Sequence, residues 1–414
     1  MRGAADAAAL YVAHLVRYAS PLLLYPALAR RLGVDGLGLY VAAIALALIV
    51  SVVVDYGVSI SGPRDIARSD RDKAAVVGQV LAMRGLLILP GGLLGLGAAA
   101  LNPVLHDASG AVAMAILLGV GQGASVLWFF QGVRDPAPAA VLEVGATLAA
   151  TAAILALPGL GVASILAVQT VGLWIGVGAG IGLMVRRQRP AAPTFDRVRR
   201  GLVEGAPLLV SRAVIVAYTG AGVFIVGALA GPVQAALYGV ADRIVGAVSS
   251  LMRPLAGLIA PRIAGLLVHD RGLAFRTARW SLMVLPVALL AAAVVLHLAA
   301  PLLIRLVFGE AFAPATGVLR LLVLSLPLVA VSQVLGLQLM TPLRMDRRFA
   351  LVVGTGCIAT LGPAFLLAPA LGAAGMAVAR VVGEAVVVVA CLACLRVHWR
   401  ALFPMTRRRN VSAV

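Results

Sequence analysis

Apolar residues in this chain come in long, nearly unbroken runs, and short polar or glycine-rich stretches separate them. Neither the alternation of a half-buried strand nor the narrow stripe of a soluble amphipathic helix is present. A helix needs about 20 apolar residues to cross a hydrocarbon core. Runs of that length fall at roughly 9–29, 37–61, 75–100, 110–131, 138–158, 161–185, 206–230, 234–260, 280–304, 317–341, 349–369 and 372–395, which predicts twelve membrane helices. The tightest connections are at Pro158-Gly159, Gly231-Pro232 and Pro369, where the turns are very short.

Composition removes the soluble alternative. The 414 residues are 62% apolar and 12% charged, with a mean hydropathy of +1.04. A folded soluble domain has no way to cover so much apolar surface, so the bilayer acts as solvent. The formal charge of +18 does not point to nucleic acid, because the arginines lie in short loops between apolar runs. Counting Arg2 and the tail, alternate loops carry 24 cations on one side (Arg64 to Lys73, Arg134, Arg186 to Arg200, Arg262 to Arg279, Arg344 to Arg348, Arg396 to Arg409). The other side has only Arg30 and Arg31. By the positive-inside rule both termini are expected in the cytoplasm. The first run, interrupted by His14 and Arg17 and followed by no small-x-small site, reads as a membrane helix and not a cleaved signal. Cys357, Cys391 and Cys394 all lie inside apolar runs. Without further thiol or imidazole ligands, the CxxC spacing of the last two reads as packing.

The most basic loop, 186–205, divides six helices from six. It predicts an N-terminal bundle (1–185), this linker, a C-terminal bundle (206–397) and a basic tail (398–414). Weak internal similarity supports a duplication. Gly161-Val-Ala-Ser-Ile-Leu-Ala-Val-Gln169 aligns ungapped with Gly372-Ala-Ala-Gly-Met-Ala-Val-Ala-Arg380, and Leu15-Val-Arg17 resembles Leu209-Val-Ser-Arg212. Six helices per half give both halves one orientation, so the expected fold is an all-α integral membrane protein. Its two six-helix bundles would be related by a pseudo-twofold along the membrane normal, with a substrate site between them.

Charges inside the spans carry the candidate chemistry. Each costs about 2.5–3.5 kcal/mol at mid-helix on an insertion scale, so each is expected to face protein or a wet cavity. Arg17, Arg84, Arg212, Arg243 and Arg380 come out roughly 10–14 Å deep, too far in for easy snorkelling; Arg305 and Arg320 sit near helix ends. Against them stand Asp55, Glu143, Asp242 and Glu384. Arg380 and Glu384 are spaced to pair on one helical face, and Asp242 shares a face with Arg253, while Arg243 points elsewhere. Arg17, Arg84 and Arg212 have no carboxylate near them in sequence. Such an excess of cations suits a phosphate-bearing ligand, because guanidinium binds phosphate oxygens bidentately. There is no GxxxxGK[ST], HExxH or GxSxG, and the five histidines are scattered, so neither catalysis nor a cofactor is expected.

Several segments, in order along the chain, carry a resemblance. They are Tyr25-Pro-Ala-Leu-Ala-Arg30-Arg-Leu-Gly33 with Gly36-Leu-Gly38-Leu-Tyr40, Asp55-Tyr-Gly57, Arg64-Asp-Ile-Ala-Arg68, Trp128-Phe-Phe-Gln131-Gly132, Tyr238-Gly-Val-Ala-Asp242-Arg243, Arg253-Pro254, Phe308-Gly309 and Leu335-Gly-Leu-Gln338. On these the chain resembles the O-antigen and exopolysaccharide flippases, the polysaccharide transport family of the MATE-like flippase superfamily. The resemblance implies movement of undecaprenyl-pyrophosphate-linked oligosaccharide across a bacterial inner membrane, by alternating access through a cationic cavity. It implies that Arg17, Arg84, Arg212 and Arg380 meet the substrate, and that Asp55, Glu143, Asp242, Arg253 and Glu384 couple or gate. It also implies a polysaccharide polymerase and a chain-length regulator as neighbours. The alternative is a cation-coupled multidrug exporter of the MATE type, whose cavity is expected to be acidic or apolar.

Overall fold

Three of the helices are bent double at a glycine. In the computed structural model, which describes residues 2–68 and 72–396 with side chains from 23 onward except at 253, 254 and 257, one helix spans Arg2–Asp55. Straight, it would extend about 80 Å, against a hydrocarbon core of about 30 Å. Gly33, at φ 69°, reverses it and lays the Tyr25 ring 5.8 Å from that of Tyr40. Gly231 (φ 84°) does the same within Gly222–Ser250, bringing Gly227 against Ala235 and Gly222 against Tyr238. Gly372 (φ 57°) folds Asp346–Leu395, so that Gly383 meets Thr360 and Gly356 meets Val387. Glycine adopts this left-handed backbone without a Cβ penalty.

Among the described residues, ten segments are long and apolar enough to span a membrane. Two of them, 23–68 and Asp346–Leu395, are such hairpins and hold two crossings each, which gives twelve. The crossings are α1 (2–32), α2 (34–68), α3 (Lys73–Ala100), α4 (Ser109–Gly132), α5 (Ala137–Ala156), α6 (Val162–Arg187), α7 (195–230), α8 (232–269), α9 (Arg271–Phe308), α10 (Ala315–Met340), α11 (346–371) and α12 (373–395). There is no strand among the described residues.

The helices overrun the expected boundaries at the basic end, where charged turns continue them into water. α7 starts at Phe195, with the Thr194 hydroxyl capping the Arg197 N–H and Asp196 in its first turn. The expected linker therefore shrinks to 188–194 between helices. α9 starts at Arg271 behind an Asp270 cap, whose carboxylate accepts from Leu273 N at 2.9 Å. Several crossings are also broken where the apolar pattern runs on unchanged. α2 breaks at Tyr56 (φ 49°) and Gly57 (φ 79°), α4 at 124–126, α7 at Gly220–Ala221, α8 at Leu251, and α10 passes through a π-helical turn at Val334–Met340.

The two sets of six helices carry matching features. Tyr40 stands seven residues after Gly33, and Tyr238 seven after Gly231, both buried. Gln169 of α6 donates to the Tyr40 hydroxyl at 2.8 Å, and Arg380, at the aligned position of α12, lies in electrostatic reach of Tyr238. At the glycine-turn end α2 and α8 touch through their backbones, a Cβ on Gly38 colliding with the Pro232 carbonyl. At the basic end the seam is narrowed by Gly57 against Leu208 and Gly205 against Tyr56.

Candidate functional site

Asp55 sits at the break in α2, and the break explains its first partners. Once the helix unwinds at Tyr56 and Gly57, the following turn has unsatisfied N–H groups. The carboxylate caps them, accepting from Ser59 N at 3.2 Å and from Ser59 Oγ at 2.7 Å. Arg84 approaches from α3, with Nη2 3.2 Å from Asp55 Oδ1 and both side chains almost fully buried. Its Nη1 donates to the carbonyls of Ala124 (3.2 Å) and Ser125 (2.8 Å), which the break in α4 leaves free. The guanidinium also lies 5.9 Å from the Trp128 ring centroid. From the other half, Arg212 of α7 brings Nε to 3.4 Å of Asp55 Oδ2. Glu143 of α5 joins from behind, accepting from Ser125 Oγ at 2.6 Å, within electrostatic reach of Arg84.

These contacts revise the expectation of unpaired cations. Arg84 is a buried tie between α2, α3 and α4. Arg212 differs: its side chain is 39% exposed where that of Asp55 is 8%. It makes no hydrogen bond among the described residues, and it lies on a stretch of α7, Phe195–Thr219, with no buried residue. Asp55 is satisfied without it.

A second node lies about 12 Å from the Gly372 turn, at 1.5 Å per residue. Arg380 Nε is 3.3 Å from Glu384 Oε1, the expected pair one turn apart. Its Nη1 donates to the carbonyls of Tyr218 (3.2 Å) and Thr219 (3.4 Å), the last of α7 before its break, and the guanidinium covers the Tyr218 ring at 5.1 Å. Asp242 is half-buried, within electrostatic reach of Arg380 and Arg243. Arg243 crosses the seam to α1, donating from Nη2 to the Tyr25 hydroxyl at 2.8 Å, with its Cζ 4.7 Å from that ring. Arg305 pairs with Glu310 at the surface, and Arg320 donates to the His297 carbonyl. The side chains of Arg17 and Arg253 lie outside the described residues. Among the interior candidates described, four arginines face four carboxylates, so this described set is balanced and its cationic character rests on which guanidiniums are free.

Sequence reasoning missed Ser59, Ser125 and Tyr218. Their signal was local: a serine or tyrosine beside each helix break supplies a hydroxyl or a freed carbonyl to the adjacent charge.

A twelve-crossing bundle of two matching halves, with ion pairs on the seam, defines a multi-pass membrane transporter fold. The chain belongs to the polysaccharide biosynthesis protein family, whose model matches residues 4–267. A relative from Escherichia coli (strain K12), named "Putative O-antigen transporter", is 24% identical over 360 residues, covering 83% of this chain and 85% of that one. The solved lipid II flippase MurJ in an inward closed conformation superposes with a TM-score of 0.72 at 12% identity, over 94% of this chain and 87% of that chain. A multidrug resistance MATE family transporter of the MOP superfamily, inward-facing, gives 0.71 at 16% identity, over 94% and 96%. The last two share the fold.

Proposed function

We propose that this protein moves undecaprenyl-pyrophosphate-linked oligosaccharide from the inner to the outer leaflet of a bacterial cytoplasmic membrane, with both termini in the cytoplasm. Halves 1–185 and 206–397 alternate their opening around the seam. The observation that carries the reading is the part-exposed Arg212 side chain, its buried Nε without a hydrogen bond, beside a carboxylate already held by Arg84 and Ser59. A diphosphate reaching the seam from the basic end competes with Asp55 for Arg212 and offers bidentate geometry in place of a 3.4 Å contact. Arg17, at the corresponding place on α1, is the second diphosphate ligand, and Arg84 positions Asp55. Opening of the basic end then requires the Asp55–Arg212 pair to part, which ties substrate arrival to the conformational change. Arg380 and Glu384, pinned to the break in α7, transmit movement of that helix to α12, with Asp242, Glu143 and Arg253 as coupling groups. The prenyl tail stays in lipid, and no covalent step is involved.

The test is reconstitution. Proteoliposomes holding the full chain and a lipid-linked oligosaccharide on one leaflet are assayed for its appearance on the other, with a permeant organic cation as comparison substrate. Oligosaccharide lipid crossing above protein-free vesicles supports the proposal. Transport of the cation alone supports an exporter and overturns it.

A further inference from the structure

On the outer flank of the second half, the basic end of α8 and the start of α9 diverge around an open groove of about 580 Å³. Counted along α9 from its basic start, the lining runs Arg276, Thr277, Trp280, Ser281, Val284 and Leu285, and Arg262 and Ile259 line it from α8. Arg276, Trp280 and Val284 are spaced by four residues and so form one ridge of α9, about 12 Å long.

Each part of this lining has a physical counterpart in a phospholipid. Arg262 and Arg276 are exposed, and neither has a carboxylate partner among the described residues. Two unneutralised guanidiniums facing one groove favour an anion. Trp280 is 67% exposed, a position that suits an indole at the level of headgroup and glycerol. Val284 (41% exposed) continues into Val287 (64%) on the same flank, an apolar track open to the bilayer. α9 packs chiefly against α8 and α10, so the groove lies apart from the Asp55–Arg212 contact.

We propose that this groove holds one anionic phospholipid. Its phosphodiester lies between Arg262 and Arg276 and one acyl chain lies along Trp280 and Val284. The bound lipid adds a bridge at the basic end between two helices that already pack together beyond the short turn at Asp270. The site is independent of what the protein transports.

The full chain, purified and delipidated in detergent, is titrated with phosphatidylglycerol, phosphatidylcholine or a polyprenyl pyrophosphate, and bound lipid is counted by native mass spectrometry. One phosphatidylglycerol is expected per chain, in preference to phosphatidylcholine. Affinity falls about fivefold for each arginine removed in Arg262→Gln and Arg276→Gln, from about 1 kcal/mol per cation. Thr277→Trp, which blocks the groove but keeps both charges, weakens binding as well. Arg347→Gln with Arg348→Gln, an equal charge loss on the exposed start of α11, leaves it unchanged. Equal loss in that control, unchanged binding in the groove variants, or capture of the polyprenyl pyrophosphate in place of phosphatidylglycerol overturns the assignment.

Discussion

Arg212 reaches Asp55 across the seam between the two halves, 3.4 Å from Nε to Oδ2, while Arg84 holds the same carboxylate from within its own half at 3.2 Å. One carboxylate with a buried and a part-exposed partner is what the proposed gate requires. The buried contact keeps Asp55 in place whether or not the exposed one is made.

The two arginines should therefore differ sharply in what they do for stability. Removing Arg84 takes the buried cation from Asp55, leaving it Ser59 and the looser Arg212 contact, and orphans two carbonyls, so Arg84→Ala is expected to cost about 3–5 kcal/mol. Arg212→Ala removes a part-exposed contact and is expected to cost less than about 1 kcal/mol. Unfolding followed in detergent by fluorescence checks the contrast; equal losses would mean that both arginines are structural.

Arg243 joins the halves in a different way, through the face and hydroxyl of Tyr25. A double-mutant cycle with Tyr25→Leu and Arg243→Gln is expected to give a coupling of about 1–2 kcal/mol, the range of a partly desolvated cation–π contact with a hydrogen bond. Additive single effects would show that the contact contributes nothing.

At the glycine-turn end the backbone approach of α2 and α8 leaves no room at Gly38. Gly38→Val must push Pro232 away, at a cost of about 1–3 kcal/mol or more. Gly97→Ala, on a helix flank with nothing within 4 Å, is expected to be neutral or to stabilise by up to about 1 kcal/mol. Midpoints of thermal unfolding for the two variants compare a packed with an unpacked glycine on one scale.

The twelve crossings were legible because spanning length is a hard constraint and because Gly231-Pro232 marks a tight turn; the reversals at Gly33 and at Gly372, three residues past the expected turn at Pro369, showed only in the backbone. The Arg380–Glu384 pair was legible because one helical turn separates its members. The breaks were not. Tyr56, Gly220 and Leu251 lie inside runs whose hydropathy does not change, and it is packing across the seam that decides where a helix unwinds. The Asp55 node was hidden for the same reason, since its partners on α3, α4 and α7 meet only after those helices assemble. Arg243 follows Asp242 directly in the chain, but its hydrogen-bond partner Tyr25 lies 218 residues away, and nothing local pointed to that aromatic face. The expected surplus of buried arginine was half dissolved by these long-range pairings, and what survived among the described residues was Arg212, with its side chain 39% exposed.

That guanidinium gives the most direct test. Wild-type protein and the variants Arg212→Gln, Arg212→Lys and Arg320→Gln, the last a surface control, are reconstituted at equal density. Translocation of undecaprenyl-pyrophosphate-linked oligosaccharide is then followed with a probe confined to one leaflet. Arg212→Gln is expected to lower the rate by more than about tenfold, with Arg212→Lys in between because a point charge cannot bind diphosphate bidentately. Arg320→Gln is expected to match wild type. Wild-type rates in Arg212→Gln would contradict the account.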